Sequence, residues 1–233
     1  MRHLSFLFFV FISFSLSAQN TTCSTIDPFC TADGVDFPSN TNSGNAEAGP
    51  NYGCLGVDTP NPSWFYLKID EPGDLFMLIE QNTQSDFTGT GLDVDFVAWG
   101  PFTETEFLAG VCGNLTSANI VPGNGTSGGS NTTTSQGCSY SANAVENFNI
   151  IGANSGEYFI LLITNWDNGS GFIRMNQTNT KGGSTDCSIL ESTLGPDQNV
   201  CEGESVILDA TPTTGTAISY NWSLDTGAGF TNF

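Results

Sequence analysis

Basic side chains are nearly absent from this sequence of 233 residues, which has four Lys and Arg residues against 24 Asp and Glu residues and a formal net charge of -20. A chain so poor in bases offers no positive surface for phosphate groups, which argues against nucleic acid and anionic membranes as partners. Charged residues of both signs make up only 12% of the chain, so the acidity comes from missing bases and not from acidic runs. Hydrophobic residues at 38% and aromatic residues at 12% are enough for a folded core.

Long apolar runs are also missing, except at the N-terminus. Residues 1–18 combine the charged pair Arg2-His3 with the apolar run Leu4–Leu16 and end in small residues, which is typical of a secretory signal peptide cleaved after Ala18. The run is shorter than the ~18–20 residues that a membrane-spanning helix needs. The sequence therefore predicts an extracellular protein, secreted or at the cell surface, that does not span the membrane.

Histidine would be absent from the mature chain, because cleavage removes His3, the only one. Three bases then remain against 24 acids, a formal net charge of -21; they are Lys68, Arg174 and Lys181. Without histidine, Ser-His-Asp, Cys-His and HExxH zinc sites cannot form. We therefore expect a protein that is not an enzyme and has no cofactor, with Ca²⁺ as the one exception considered below.

Seven cysteines stand out in this chain, and in an exported protein they predict disulfides. Six of them precede residue 190 and form an even set: Cys23, Cys30, Cys54, Cys112, Cys138 and Cys187. The sequence alone does not choose among their possible pairings. Our prediction pairs Cys112 with Cys138, which would close the Gly/Ser/Thr-rich loop between them.

Short strands separated by polar turns follow one another from residue 19 to residue 190. The predicted strands are Trp64–Asp70, Leu75–Glu80, Leu92–Trp99, Asn147–Ile151, Glu157–Trp166 and Phe172–Gln177. The turn Glu71–Asp74 predicts that the first two form a hairpin. Helical structure is expected only at Thr103–Ala109, as one or two turns. The pattern predicts an all-β fold, with residues 19–190 as a disulfide-stapled jelly-roll or β-sandwich module.

The sequence changes character after residue 190. Leu194–Asp197 reads as a linker, and Cys201–Ala210 and Ile218–Ser223 read as strands that resemble the opening of an Ig-like or PKD-like domain. Such a sandwich needs ~100 residues. We therefore expect residues 191–233 to be the truncated start of an Ig-like β-sandwich, with the partner of Cys201 in the missing part.

Two aspartates alternate with apolar residues along one predicted strand. Asp93 and Asp95 would point to one face, ~6.5–7 Å apart, while Leu92, Val94 and Phe96 face the other way. Three interpretations stay open: carboxylates that accept backbone N–H groups, a Ca²⁺ site completed by loop carbonyls, and a glycosidase pair. Further carboxylates are available at Asp70, Asp74 and Asp167, although no pattern places them nearby.

Tryptophans at strand ends are the candidates for ligand binding. Trp99 precedes Gly100-Pro101 and Trp166 precedes Asp167-Asn168, so both are predicted to be exposed as platforms for a sugar ring. Trp64 and Trp222 lie within predicted strands and are expected to pack in a core.

Several motifs of this chain resemble an N-terminal module of large cell-surface proteins of gliding Bacteroidota. They are Cys54-Leu55, Asn61–Leu67, Asp93–Phe102, Gly137–Ser141, Gly156–Trp166 and Thr185–Ser188. In that family the module precedes PKD or Ig-like repeats and a C-terminal sorting domain read by the type IX secretion system. The resemblance implies a non-catalytic adhesin module that presents loops to a carbohydrate or another surface ligand. The alternative is an accessory carbohydrate-binding module of a secreted hydrolase, with its catalytic domain beyond Phe233.

Overall fold

The computed structural model describes residues 20–31, 36–121 and 137–190, together with the strands Ser223–Asp225 and Phe230–Asn232. The last two strands pair antiparallel. The predicted signal peptide, Cys201, Trp222 and most of the predicted Ig-like segment lie outside the described residues. The prediction of a truncated Ig-like domain therefore stays a prediction.

Nine strands occur between residues 20 and 190. They are β1 (Asp27–Pro28), β2 (Asp36–Pro38), β3 (Pro62–Lys68), β4 (Gly73–Asn82), β5 (Val94–Phe102), β6 (Cys138–Ser139), β7 (Val145–Ala153), β8 (Tyr158–Asn165) and β9 (Phe172–Gln177). Sheet A has the order β1-β3-β8-β5-β6 and sheet B the order β2-β9-β4-β7. The helical elements described are α1 (Glu104–Leu108) and the 3₁₀ turns Cys23–Thr25, Gly53–Leu55, Val111–Asn114 and Cys187–Leu190. The all-β prediction is confirmed.

The main hydrophobic core lies between the two sheets. Alternate residues of β4 and β5 point into it, so Leu75, Met77 and Ile79 meet Val94 and Phe96, all of them essentially inaccessible to solvent. β8 is buried on both faces over its full length, which explains why its sequence is a nearly continuous apolar run. Burial of these side chains supplies most of the free energy that holds the sheets together.

A second core covers the outer face of sheet A. Trp64 stacks on Trp99 with ring centroids 5.7 Å apart, and the Trp99 indole N–H donates to the carbonyl of Asn51 at 3.1 Å. Neither tryptophan is exposed. The predicted exposure of Trp99 is therefore wrong, because the segment around Asn51 and Tyr52 folds over it; the core position of Trp64 is confirmed.

All six cysteines of the even set form disulfides. The bonds join Cys23 to Cys112, Cys30 to Cys187 and Cys54 to Cys138. The predicted Cys112–Cys138 bridge is wrong. Cys112 bonds to Cys23, and Cys138 bonds to Cys54. Cys23 packs in the second core, as does Leu55, the neighbour of Cys54, so both partners belong to segments that cover sheet A. Two of the three bridges thus fasten this covering layer.

The predicted hairpin of the first two strands is also wrong. β3 pairs with β1 and β8 in sheet A, whereas β4 pairs with β7 and β9 in sheet B. The Glu71–Asp74 turn therefore carries the chain from one sheet to the other. Turn residues predict a reversal of direction, but the partner of each strand depends on contacts distant in sequence.

Candidate binding pocket

The start of β5 and the ends of β6 and β8 lie side by side at one end of sheet A. Val94 at the start of β5 pairs with Asn165 at the end of β8, and Phe96 pairs with Ser139 at the end of β6. The residues that follow those two strand ends, Trp166 and Tyr140, therefore flank the beginning of β5. This register brings residues from three separate parts of the sequence to one place.

A cavity of about 160 Å³ opens between these strand ends. Its lining residues are Asp93, Asp95, Tyr140, Ser141, Ala142 and Trp166. Trp166 is 40% exposed and Tyr140 is 45% exposed, in a protein whose other described tryptophans are buried. Their rings stand nearly perpendicular, with an interplanar angle of 86° and centroids 5.5 Å apart. The pocket thus has two aromatic walls that solvent reaches.

Hydrogen bonds to the backbone hold the walls and the carboxyl groups together. The Trp166 N–H donates to the carbonyl of Asp93 at 3.2 Å, and the Asp93 N–H donates to Asp167 Oδ2 at 2.9 Å. The Ser141 N–H donates to Asp95 Oδ1 at 3.0 Å. Each of the three chain segments is therefore tied to its neighbour around the pocket.

A buried asparagine fixes the segment that carries Trp166. The Asn165 side-chain amide donates to the carbonyls of Asn40 at 2.9 Å and Gly169 at 2.8 Å. The Asn165 backbone N–H donates to the carbonyl of Pro60 at 3.2 Å. These bonds define the direction in which the chain leaves β8, and with it the position of the Trp166 ring.

The carboxyl groups of the pocket are partly removed from water. Asp95 is only 2% exposed. Burial, with repulsion from Asp93 and Glu146, raises the pKa of Asp95 to about 7, against the opposing effect of the Ser141 N–H. Burial and repulsion from Asp167 raise the pKa of Asp93 to about 6. Neither group has a base beside it to favour the ionised form.

Another carboxyl group, that of Glu146, lies near those of Asp93 and Asp95. It is fully buried at the start of β7 and accepts a hydrogen bond of 2.6 Å from the Ser141 hydroxyl. Burial is also the main reason why the pKa of Glu146 is raised. Ser141 therefore bridges two carboxyl groups, with its N–H on Asp95 and its hydroxyl on Glu146.

The basic side chains of the described residues are placed elsewhere. Lys68 forms an ion pair with Asp186 at 2.8 Å, and Arg174 forms one with Asp36 at 2.6 Å. Lys181 borders a separate depression beside Glu71. The residues that line the pocket therefore carry negative charge without an internal counter-charge.

The structure brings some of the predicted site residues together and separates others. Trp166, Asp93 and Asp95 come together, and Asp167 joins them through its bond to the Asp93 N–H. Trp99 is in the second core, and Asp74 accepts a hydrogen bond from the Gly152 N–H in another part of the molecule. Tyr140 and Ser141 were not predicted, since no sequence pattern connects them to Trp166 before the β5–β6 pairing is known.

The metal prediction for Asp93 and Asp95 finds limited geometric support. Among residues 20–31, 36–121 and 137–190, no group of three or more His, Cys, Asp and Glu side chains is arranged to hold a metal ion. Ca²⁺ takes six to eight oxygen ligands, of which this pair supplies a minority. A calcium site here stays an untested prediction.

Comparisons of the chain with protein-family models, with curated proteins and with solved structures found no match. The fold and the pocket alone define the class, a disulfide-bonded two-sheet β-protein with an aromatic and acidic pocket. Within the part of the chain that is described, no helix has the length and apolar character to cross a membrane. The three disulfides favour an oxidising, extracellular compartment.

Proposed function

We propose that this chain provides a non-catalytic, carbohydrate-binding module to an adhesin that is secreted or displayed at the cell surface. The observation that carries the proposal is the exposed pair Trp166 and Tyr140 beside two carboxyl groups in one pocket. The predicted signal peptide, the disulfides and the resemblance to surface proteins of Bacteroidota support an extracellular role.

Sugars present two kinds of surface, and the pocket offers a partner for each. The C–H face of a sugar ring packs on an aromatic ring, and its hydroxyl groups donate to carboxylate oxygens. Trp166 and Tyr140 provide the rings, and Asp93 and Asp95 provide the acceptors. Because backbone hydrogen bonds hold both segments, little conformational entropy is lost when a ligand binds.

The room around Trp166 suits a ligand longer than one sugar. The indole also borders a second depression, of about 360 Å³, lined by Asn45, Asp58 and Pro60 as well. A chain of sugars that crosses the Trp166 ring contacts both depressions. We therefore expect oligosaccharides to bind more tightly than the corresponding monosaccharides.

The arrangement of the carboxyl groups supports binding over catalysis. Glycoside hydrolysis uses two carboxyl groups that flank the scissile bond. Asp93 directly precedes β5 and Asp95 is the second residue of that strand, and both line the same cavity. Because both line one cavity beside the aromatic rings, we propose that they accept hydrogen bonds from a bound sugar and do not cleave it.

A glycan array with the full chain tests the proposal. We expect binding to a limited set of glycans that is lost in Trp166→Ala. The matched control is Phe76→Ala, which removes an aromatic ring of similar exposure, 38%, from β4 in sheet B; it should bind as the wild type does. An array without binding, or one unchanged by Trp166→Ala, would contradict the proposal, as would release of shorter products from a bound oligosaccharide.

A further inference from the structure

The pocket contains carboxyl groups whose negative charge no basic side chain of the protein balances. Asp95 is 2% exposed, and Asp93 Oδ1 is enclosed without a hydrogen-bond donor among the described residues. An ionised carboxylate out of contact with water is costly unless a cation or several donors compensate it. Repulsion from Asp167 acts on Asp93 and repulsion from Glu146 acts on Asp95, and no base lines the pocket.

The aromatic walls are suited to a particular kind of cation. The face of an indole or phenol ring carries negative electrostatic potential, which attracts ammonium groups within about 6 Å of the ring centre. Two such rings stand at 86° to each other in this pocket, next to the carboxyl groups. Groups of aromatic rings bind alkylammonium ligands in other proteins, and carboxyl groups beside the rings add an attractive counter-charge.

The same geometry disfavours a metal ion. A bound Ca²⁺ needs more oxygen ligands than two carboxyl groups provide, and it gains nothing from aromatic walls. An ammonium group on a carbon framework uses both parts of the pocket, since its charge faces the carboxylates and its C–H groups face the rings.

We propose that the pocket between Trp166 and Tyr140 binds the ammonium group of an amino-sugar glycan, with Asp93 and Asp95 as its counter-charges. The ammonium group belongs to the glycan, and to that extent the inference rests on the proposed function. The acidic mature chain is consistent with a cationic ligand, because its overall field attracts such a ligand and repels anionic polysaccharides.

Cation binding at this site depends on pH in a defined direction. The pKa of Asp95 is raised to about 7 and that of Asp93 to about 6, so both are mostly ionised at pH 8 and mostly protonated at pH 5. The groups that face them are Asp167, Glu146 and the Ser141 N–H, and only the last favours the ionised form. Affinity for a cation should therefore fall as the pH is lowered from 8 to 5.

Tetramethylammonium chloride is the probe for this inference, because its charge does not change with pH. The full chain is titrated at constant ionic strength, and binding is followed through the Trp166 indole N–H resonance in NMR spectra, assigned with Trp166→Phe. We expect saturable binding at pH 8, at least tenfold weaker at pH 5, at least tenfold weaker in Asp95→Asn, and unchanged in Phe76→Ala. Absence of a saturable shift, or equal affinity in Asp95→Asn, would overturn the inference, and so would a shift produced by calcium chloride alone.

Two glycans separate this inference from the proposed function. Oligomers of glucosamine carry ammonium groups, and oligomers of N-acetylglucosamine of the same length are neutral. At pH 7, where Asp93 is mostly ionised and Asp95 is about half ionised, we expect at least tenfold tighter binding of the glucosamine oligomer, with the loss of that preference in Asp95→Asn. Equal affinity for both oligomers, abolished by Trp166→Ala, would overturn the ammonium inference and leave the carbohydrate proposal standing. Binding of tetramethylammonium without binding of any glycan would contradict the carbohydrate proposal and, with it, the assignment to an amino sugar.

Discussion

Replacement of Asp95 by asparagine should stabilise the protein against unfolding at pH 8. The folded protein holds the proton of Asp95 up to a pKa of about 7, whereas the ordinary value is 3.8. Between those two values the folded state binds more protons than the unfolded state, so stability falls as the pH rises. The asparagine side chain has no charge to bury, and its carbonyl oxygen can still accept from the Ser141 N–H.

The size of the effect follows from that pKa difference. At about 1.4 kcal/mol per pKa unit, a rise from 3.8 to about 7 sets an upper bound of about 4 kcal/mol on the cost of the charge at pH 8. Relaxation of the surrounding protein around the charge lowers the real cost below this bound. We therefore expect Asp95→Asn to gain roughly 1–2 kcal/mol at pH 8 and little at pH 4.

Urea unfolding of the disulfide-bonded chain at pH 8 and pH 4 measures this difference, with tryptophan fluorescence as the signal. Asp186→Asn is a control in which the free energy of unfolding should change in the opposite direction. Its carboxylate pairs with Lys68 at 2.8 Å, which lowers the pKa of Asp186, so the variant should lose up to about 1 kcal/mol at pH 8. If Asp95→Asn is less stable than the wild type at pH 8, the carboxyl group is not the uncompensated charge that we describe, and the reasoning fails.

Further predictions concern the two cores and the disulfides. Trp99→Ala should lower the free energy of unfolding by about 3–5 kcal/mol, because Trp99 is fully buried against Trp64, whereas Trp166→Ala should change it by less than about 1 kcal/mol. Urea unfolding of both variants checks this, and equal losses would contradict the separation of core from site. Removal of the Cys54–Cys138 bridge by a double serine variant should cost roughly 2–4 kcal/mol. Peptide mapping without reduction should recover the three cysteine pairs given above, and a peptide that joins Cys112 to Cys138 would refute them.

The sequence predicted strands well where burial leaves a pattern along the chain. The alternation predicted that Asp93 and Asp95 share one face and that Val94 and Phe96 share the other, and Val94 and Phe96 do lie together in the main core. The run that becomes β8 predicted a strand because of its branched and aromatic residues. Such a pattern lies within one short stretch of sequence, so it can be recognised without knowing which strands are neighbours.

Features that depend on long-range pairing were predicted poorly. The hairpin was wrong because the turn at Glu71–Asp74 has the same residue types whether the next strand joins the same sheet or the opposite one. Trp99 was expected to be exposed because a strand end is usually near solvent, and nothing local shows that the segment around Tyr52 covers it. Tyr140 was missed for a related reason, since only the register of β6 on β5 brings it to Trp166.

The most direct test of the central claim is the dissociation constant of a glucosamine oligomer for the wild type, Trp166→Ala and Phe76→Ala, measured side by side at pH 7 by isothermal titration calorimetry. If the ligand binds in the pocket at the end of sheet A, we expect at least tenfold weaker binding for Trp166→Ala and no change for Phe76→Ala. Equal affinities of the wild type and Trp166→Ala would show that the ligand binds elsewhere, and that result would contradict the account.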